Sequence, residues 1–159
     1  MTDEVTLIHQ LKETKSKEAA FRELISQYKE RLYWHIRKIV ISHDDADDVL
    51  QNTFIKVFKN IETFKGDSKL YSWMYRIATN ESITFINKRA KDRKVAISEI
   101  HSELAATLQS DVYFSGDEIQ LILQKAIATL PTKQQLVFNM KYFDELKYSQ
   151  ISEILSTSV

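Results

Sequence analysis

Aromatic, cationic and amide side chains concentrate in one segment near the middle of this 159-residue chain. Five of them fall within ten residues: Tyr71, Trp73, Tyr75, Arg76 and Asn80. Aromatic faces stack on unpaired bases, contributing about 1–3 kcal/mol per base, and Arg holds phosphates regardless of base sequence. The segment therefore suits single-stranded or melted DNA better than an intact duplex. The competing interpretation is that many of these rings, Trp73 among them, belong to a helical core.

A polar loop precedes this cluster and a basic run follows it. The loop runs from Lys65 to Ser68 around Gly66, and five of the seven residues from Lys88 to Lys94 are basic. Because Lys and Arg neutralise phosphates, the basic run favours a polyanionic ligand. The cluster and the run offer Tyr71, Trp73, Tyr75, Arg76, Asn80, Lys88 and Arg89 as candidate DNA-binding residues, with Lys65, Asp67 and Ser68 in the loop beside them.

Four Asp residues between positions 44 and 48 are the other concentration of chemical groups. Metal ligands must converge, whereas successive helical side chains point about 100° apart, and none of the four His residues has a paired ligand spacing. Ser42 with Asp45 forms a capping-box pattern, and carboxylates are favourable at the positive end of a helix. We therefore predict helix capping and no metal site. With no Gly-rich phosphate loop or nucleophile elbow either, we predict no catalytic residue, no cofactor and no enzymatic activity.

Composition favours a helical protein that positions these groups. The chain is 43% hydrophobic, with two Gly and one Pro, too few turn formers for many short strands. It has no Cys, no apolar run long enough to span a membrane and no secretory signal, so we expect a cytoplasmic protein without membrane insertion. Residues 1–95 hold 18 Lys and Arg against 14 Asp and Glu, whereas residues 96–159 hold 4 against 8. This asymmetry indicates that a polyanion binds the first half.

Apolar residues spaced three and four apart predict three long helices in residues 16–95, with a short amphipathic helix (Val5, Ile8, Leu11) ahead of them. The second long helix starts after Ser42 and carries Asp48, Gln51, Asn52 and Ile55 on its outer side. Asp67 or Ser68 is expected to cap the third, whose outer side presents Tyr75, Arg76, Thr79 and Asn80. Ile55 amid polar neighbours is either one ordinary exposed residue or the centre of a small protein-binding patch.

The second half predicts a linker and a smaller helical unit. Periodicity weakens over residues 96–116, and then helices are expected after Ser115, after Pro131 and near Tyr148. The last two resemble the start of a helix-turn-helix that lacks its second helix, so we expect truncation or a missing tail, with Ile151, Ile154 and Leu155 poorly covered. The alternative is a plain helical hairpin with a frayed end. The predicted domains are residues 1–95, the linker 96–116 and residues 117–159.

Three segments of the first half are similar to one known family. Residues 48–56 (DVLQNTFIK), 64–68 (FKGDS) and 71–80 (YSWMYRIATN) closely resemble region 2 of extracytoplasmic-function (ECF) sigma factors. Residues 128–155, with Leu130-Pro131 and the segment Tyr148 to Ile151, resemble region 4 of the same family. The resemblance spans nearly the whole chain and implies two small all-α domains, a three-helix region 2 and a helix-turn-helix-type region 4, joined by a linker.

The resemblance implies a bacterial transcription initiation subunit with core RNA polymerase, promoter DNA and an anti-sigma factor as partners. It assigns polymerase binding to Asp48, Gln51, Asn52, Phe54 and Ile55. The loop and helix from Lys65 to Asn80 would open the minus-ten element and capture a flipped base, at a cost of a few kcal/mol in lost stacking. Region 4 would bind the polymerase flap and read the minus-thirty-five element, although its recognition helix is absent up to Val159.

Two other classes of protein remain as alternatives at this point. A helical DNA-binding regulator that never contacts polymerase would bind duplex DNA by itself, which the zero net charge disfavours. A helical metal-dependent hydrolase would use the Asp cluster and would contain stoichiometric metal.

Overall fold

The structure is a computed structural model that describes residues 3–40, 42–95 and 118–155. Within these ranges there are seven α-helices, one 3-10 turn and no strand, which confirms the predicted all-α class. The helices are α1 (Glu4–Lys12), α2 (Lys17–Val40), α3 (His43–Asn60), α4 (Leu70–Arg93), α5 (Glu118–Ala128), α6 (Thr132–Tyr142) and α7 (Tyr148–Leu155), with the 3-10 turn at Ile61–Thr63. None of these helices is long and apolar enough to cross a membrane.

Helices α2, α3 and α4 pack against one another around the main core, because each has an apolar stripe at helical spacing. Completely buried members of this core include Leu24, Leu32, Ile36, Val40, Ala46, Val57, Leu70, Met74 and Ala78. Burial of a large apolar side chain stabilises the fold by about 1.5–3 kcal/mol, so these stripes hold the three-helix unit together.

The short helix α1 joins this core through two of its three predicted apolar residues, Ile8 and Leu11, together with Leu7. Asp3 caps it, since a carboxylate oxygen accepts from the Thr6 amide at 2.9 Å. Leu7 and Leu11 are buried at 1% and 0% exposure, whereas Val5, which we predicted on the apolar stripe, is 78% exposed. The face of α1 that packs is therefore the Leu7 and Leu11 face.

The loop between the 3-10 turn and α4 is anchored at both ends. Phe64 and Leu70 are buried, and between them Gly66 adopts a φ of +81°, in the left-handed region that favours glycine. The N-cap of α4 is Lys69, which makes no side-chain capping bond. Glu4 of α1 instead accepts from the Leu70 amide at 2.5 Å. The expectation that Asp67 or Ser68 caps α4 is therefore wrong.

The smaller unit packs on the three-helix unit through α7, which contacts α4. Ile151 and Ile154 are buried at 3% and 4% exposure, so the expectation that they lack cover is wrong. Ile151 and Ile154 belong to the same apolar cluster as the core residues of the three-helix unit. Local periodicity could not indicate this contact, because the two units are far apart in sequence. The predicted linker, residues 96–116, lies outside the described residues, as does the turn after Leu155, and the predicted domain boundaries stay predictions.

Candidate functional site

One face of α3 presents four of the five predicted polymerase-binding residues to solvent. Asp48, Gln51, Asn52 and Ile55 are spaced three and four apart and are all exposed, with Ile55 at 50%. Phe54 points elsewhere: it is 7% exposed and its ring packs edge-on against that of Phe21 at 6.2 Å. Phe54 is thus mostly internal, as its place on the inner stripe requires, and polymerase binding by Phe54 stays a prediction.

An apolar groove of about 720 Å³ lies beside this face, between α2 and α3. Its apolar lining consists of Phe21, Ile25, Leu50, Phe54, Ile55 and Phe58. Charged side chains from both helices surround it, among them Glu18, Arg22 and Lys59. Sequence reasoning missed the α2 side of this surface, because Phe21 and Ile25 read only as members of the core stripe. A partner that inserts one apolar side chain would find Ile55 and this groove together.

The loop and the outer face of α4 present a second, polar surface. Lys65 and Asp67 are exposed at the loop, and Ser68 is half-buried. Arg76 and Asn80, four residues apart on α4, are also exposed. The structure thus brings these predicted DNA-binding residues to the surface of region 2, as a melted strand would require.

Two of the predicted aromatic residues are partly covered by their own chain. Tyr71 stacks on Tyr28 with ring centroids 5.5 Å apart, and the guanidinium of Arg31 lies 3.9 Å from the Tyr71 ring centroid. Burial raises the pKa of Tyr71 to about 12. Trp73 packs on Phe64 at 5.2 Å. Both residues are half-buried, so each offers part of its ring rather than a free face.

Tyr75 is completely buried, which corrects the expectation that it lies on the outer side of α4. Its ring stacks on His35 at 3.7 Å, and its hydroxyl donates to Oδ2 of Asp144 at 2.5 Å. Burial raises the pKa of Tyr75, so its hydroxyl stays protonated and remains a donor. Thr79, predicted on the same outer side, is buried too.

Asp144 lies in the turn between α6 and α7 and joins the two units. The Lys38 ammonium donates to Oδ1 of Asp144 at 2.6 Å, and Nδ1 of His35 lies 3.5 Å from Oδ2. Burial acts to raise the pKa of Asp144, but the ammonium of Lys38 outweighs it and holds that pKa below its ordinary value. Asp144 is therefore a carboxylate held by α2 and α4 of the other unit. No local pattern identified it, since 106 positions separate it from Lys38.

His35 is the neutral member of this cluster. Its Nε2 lies 2.8 Å from the Thr79 hydroxyl, and that hydroxyl donates to the carbonyl of Tyr75 at 2.8 Å. Since the Thr79 hydrogen is used in that bond, Nε2 of His35 must carry the proton. Burial lowers the pKa of His35 despite the attraction of Asp144, so the uncharged ring is the form at neutral pH.

The two basic residues that we predicted in the run after Ile86 differ in their surroundings. Lys88 is exposed, whereas Arg89 forms a bidentate ion pair with Asp45 of α3, at 2.8 and 3.0 Å. The expectation that Asp45 caps α3 is therefore wrong, whereas DNA binding by Arg89 stays a prediction. Within the described ranges no three His, Asp or Glu side chains converge as metal ligands would.

Comparison with known proteins assigns both halves of the chain to one family. The model of sigma-70 region 2 matches residues 24–92, and that of sigma-70 region 4 matches residues 120–159. The ECF RNA polymerase sigma factor SigW of Bacillus subtilis is 33% identical over 91% of this chain and 82% of its own length. The ECF RNA polymerase sigma-E factor of Haemophilus influenzae is 28% identical over 88% of this chain and 78% of its own.

A solved structure shares the fold. It is the sigma factor RpoE of Bartonella quintana in complex with the anti-sigma factor NepR, with a TM-score of 0.64 at 18% identity over 87% of this chain and 84% of that chain. The fold and the two family matches define a sigma factor of RNA polymerase. The chain belongs to the ECF group of these factors, which confirms the family resemblance found in the sequence. Sigma factors are transcription initiation factors and are in general not enzymes.

Proposed function

We propose that this protein binds core RNA polymerase through the exposed face of α3 and directs it to promoters, which it helps to melt. The observation that carries the proposal is Ile55, half-exposed amid Asp48, Gln51 and Asn52 and next to the apolar groove. An apolar centre with a polar rim is the usual composition of a protein interface. Phe54 lines that groove and would contact an apolar side chain of polymerase inserted there.

Promoter opening falls to the loop and the outer face of α4. Lys65, Arg76 and Lys88 hold phosphates of the melted strand, and Asp67, Ser68 and Asn80 supply polar groups to an extruded base. The half-covered rings of Tyr71 and Trp73 provide stacking surface at the edge of the same face. Arg89 serves the fold through Asp45 and leaves phosphate binding to its exposed neighbours.

The two units must separate for the complete function. The minus-ten and minus-thirty-five elements are about 25 base pairs apart, roughly 80 Å along the duplex. Region 2 and region 4 cannot reach both while Asp144 lies in contact with Lys38 and Tyr75. The observed arrangement is therefore a closed form, and in the open form the Tyr75 hydroxyl and the Lys38 ammonium would lose Asp144 as their partner.

Region 4 is proposed to bind the flap of polymerase and to read the minus-thirty-five element as duplex DNA. An apolar groove on α6 supports a protein contact there, lined by Leu130, Pro131, Val137, Phe138 and Tyr148 with Lys133 and Lys141 beside it. An anti-sigma factor is the proposed regulator, as in the solved complex of the Bartonella protein. We place the protein in the cytoplasm, with polymerase and chromosome, and assign it no catalytic activity.

Transcription with purified components tests the proposal. Core polymerase from the source organism is combined with the protein and with fragments of that organism's genome, and the transcript starts are mapped. Defined starts that depend on the protein are expected. Starts identical to those of core polymerase alone would reject the proposal. The alternative regulator that does not bind polymerase is not favoured, because the relatives are sigma factors.

A further inference from the structure

We propose that α1 holds the loop of residues 64–69 in the shape that captures promoter DNA, with Glu4 and Lys12 as positioning residues. This inference rests on the proposed function of that loop. Its starting observation is that α1 makes a hydrogen bond at each end of the loop. Glu4 accepts from the Leu70 amide at 2.5 Å, and the Lys12 ammonium donates to the Phe64 carbonyl at 2.6 Å.

Both contacts meet backbone groups that need a partner. Phe64 is the C-cap of the 3-10 turn, and Leu70 is the first residue of α4, whose N-cap Lys69 gives no side-chain bond. The first amides of a helix and the last carbonyls of a turn have no partner within their own element. Glu4 places a negative charge at the positive end of α4, and Lys12 places a positive charge on a terminal carbonyl, so both bonds have the favourable sign.

The part of the loop between these anchors has little else to fix it. Lys65, Gly66 and Asp67 are exposed, and in the described part of the chain no side-chain hydrogen bond involves Lys65, Asp67 or Ser68. The ends of the loop therefore set where its polar side chains point. A shift of about 1 Å at such a site is enough to lower a rate up to a hundredfold.

Helix α1 is rigid enough to act as this support. Leu7 and Leu11 anchor it in the core, and Asp3 caps its first turn. It lies ahead of the region 2 match, which begins at residue 24. Burial is the main cause of the raised pKa of Tyr28, and the negative charge of Glu4 is the second cause. Tyr28 in turn stacks on Tyr71. Helix α1 thus supports the loop at both of its ends.

The experiment compares Glu4→Ala, Lys12→Met and the double variant with Val5→Ala, a change at an exposed position of the same helix. Three quantities are measured: affinity for core polymerase, the unfolding temperature, and affinity for a single-stranded oligonucleotide with the minus-ten sequence from the mapped starts. For the double variant we expect a roughly tenfold or greater loss of oligonucleotide affinity and of discrimination against single-base changes. Core affinity stays at the wild-type value, and Glu4→Gln, which keeps an acceptor oxygen, recovers part of the loss.

Two results would overturn the inference while the proposed function stands. One is wild-type oligonucleotide affinity and discrimination in the double variant. The other is a loss of DNA binding and core binding together that follows the fraction unfolded, with no recovery in Glu4→Gln, since that would assign α1 a purely structural role. If the wild-type protein itself failed to bind core polymerase or to open promoters, the proposed function would be rejected instead.

Discussion

The hydroxyl of Tyr75 donates a hydrogen bond to Asp144 at 2.5 Å, across 69 positions of the chain. Tyr75 belongs to the face that the family resemblance assigns to the minus-ten element, and Asp144 belongs to region 4. The contact therefore joins region 4 to the helix that carries the proposed DNA-binding residues Arg76 and Asn80. Lys38 completes the arrangement by neutralising the carboxylate of Asp144 at 2.6 Å.

Asp144→Asn should loosen region 4 from region 2. The substitution keeps the size of the side chain but leaves the Lys38 ammonium without its charge partner, which costs about 1–2 kcal/mol of the closed form. That energy corresponds to an increase of about tenfold in the open fraction. Small-angle X-ray scattering should report a larger radius of gyration, and affinity for a minus-ten oligonucleotide should rise. Asp92→Asn, at an exposed position of α4, serves as the control, and equal radii for the two variants would contradict the closed form.

The contact should weaken in acid, below about pH 4. The pKa of Asp144 is lowered from its ordinary 3.8, so its carboxylate stabilises the closed form above that pH, and this stabilisation is lost as Asp144 protonates. The pKa of Tyr75 is raised from 10, so its contribution is present below pH 10 and is lost above it. Domain separation measured from about pH 3 to about pH 11 should be smallest between about pH 4 and pH 10. A contact that tightens below pH 4 would refute this.

Arg89→Ala and Lys88→Ala should affect different properties, although the two residues are neighbours: the first should lower stability and the second should weaken DNA binding. Arg89 pairs with Asp45 through two hydrogen bonds between α4 and α3, so its loss should lower the free energy of unfolding by about 1–2 kcal/mol. Lys88 is exposed, so its loss should leave stability within about 0.5 kcal/mol and reduce the salt dependence of DNA binding by about one ion. Denaturant unfolding and salt titrations separate the two. Restoration of stability by exchanging the charges of Arg89 and Asp45 would confirm the pair, and equal stability of both Ala variants would refute it.

Ile55→Glu should abolish most of the affinity for core polymerase without unfolding the protein. An apolar residue at the centre of an interface commonly contributes more than 1 kcal/mol, so a loss of about tenfold or more is expected. Because Ile55 is half-exposed, the free energy of unfolding should change little. Val5→Glu adds the same charge at a position that is 78% exposed on α1 and should bind polymerase normally. Equal affinities for the two variants would remove Ile55 from the interface.

The sequence alone was sufficient to predict the helices and the exposed face of α3, because helical periodicity depends only on residues a few positions apart. Asp48, Gln51 and Ile55 share a face whatever surrounds the helix. The predicted position of Tyr75 was wrong because its cover is not local in sequence: His35 of α2 stacks on its ring, and Asp144 accepts from its hydroxyl. Long-range pairing also decided that Asp45 binds Arg89 and that Glu4, rather than Asp67 or Ser68, caps α4.

Opening of the closed form on polymerase and promoter is the most direct test. The chain contains no Cys, so Ala19→Cys on α2 and Glu153→Cys on α7, both at exposed positions, accept one pair of dyes. Energy transfer between them should be high in the free protein and should fall when core polymerase and a promoter fragment are added, with the Asp144→Asn variant already lower at the start. Transcription from that promoter with energy transfer unchanged would contradict the account.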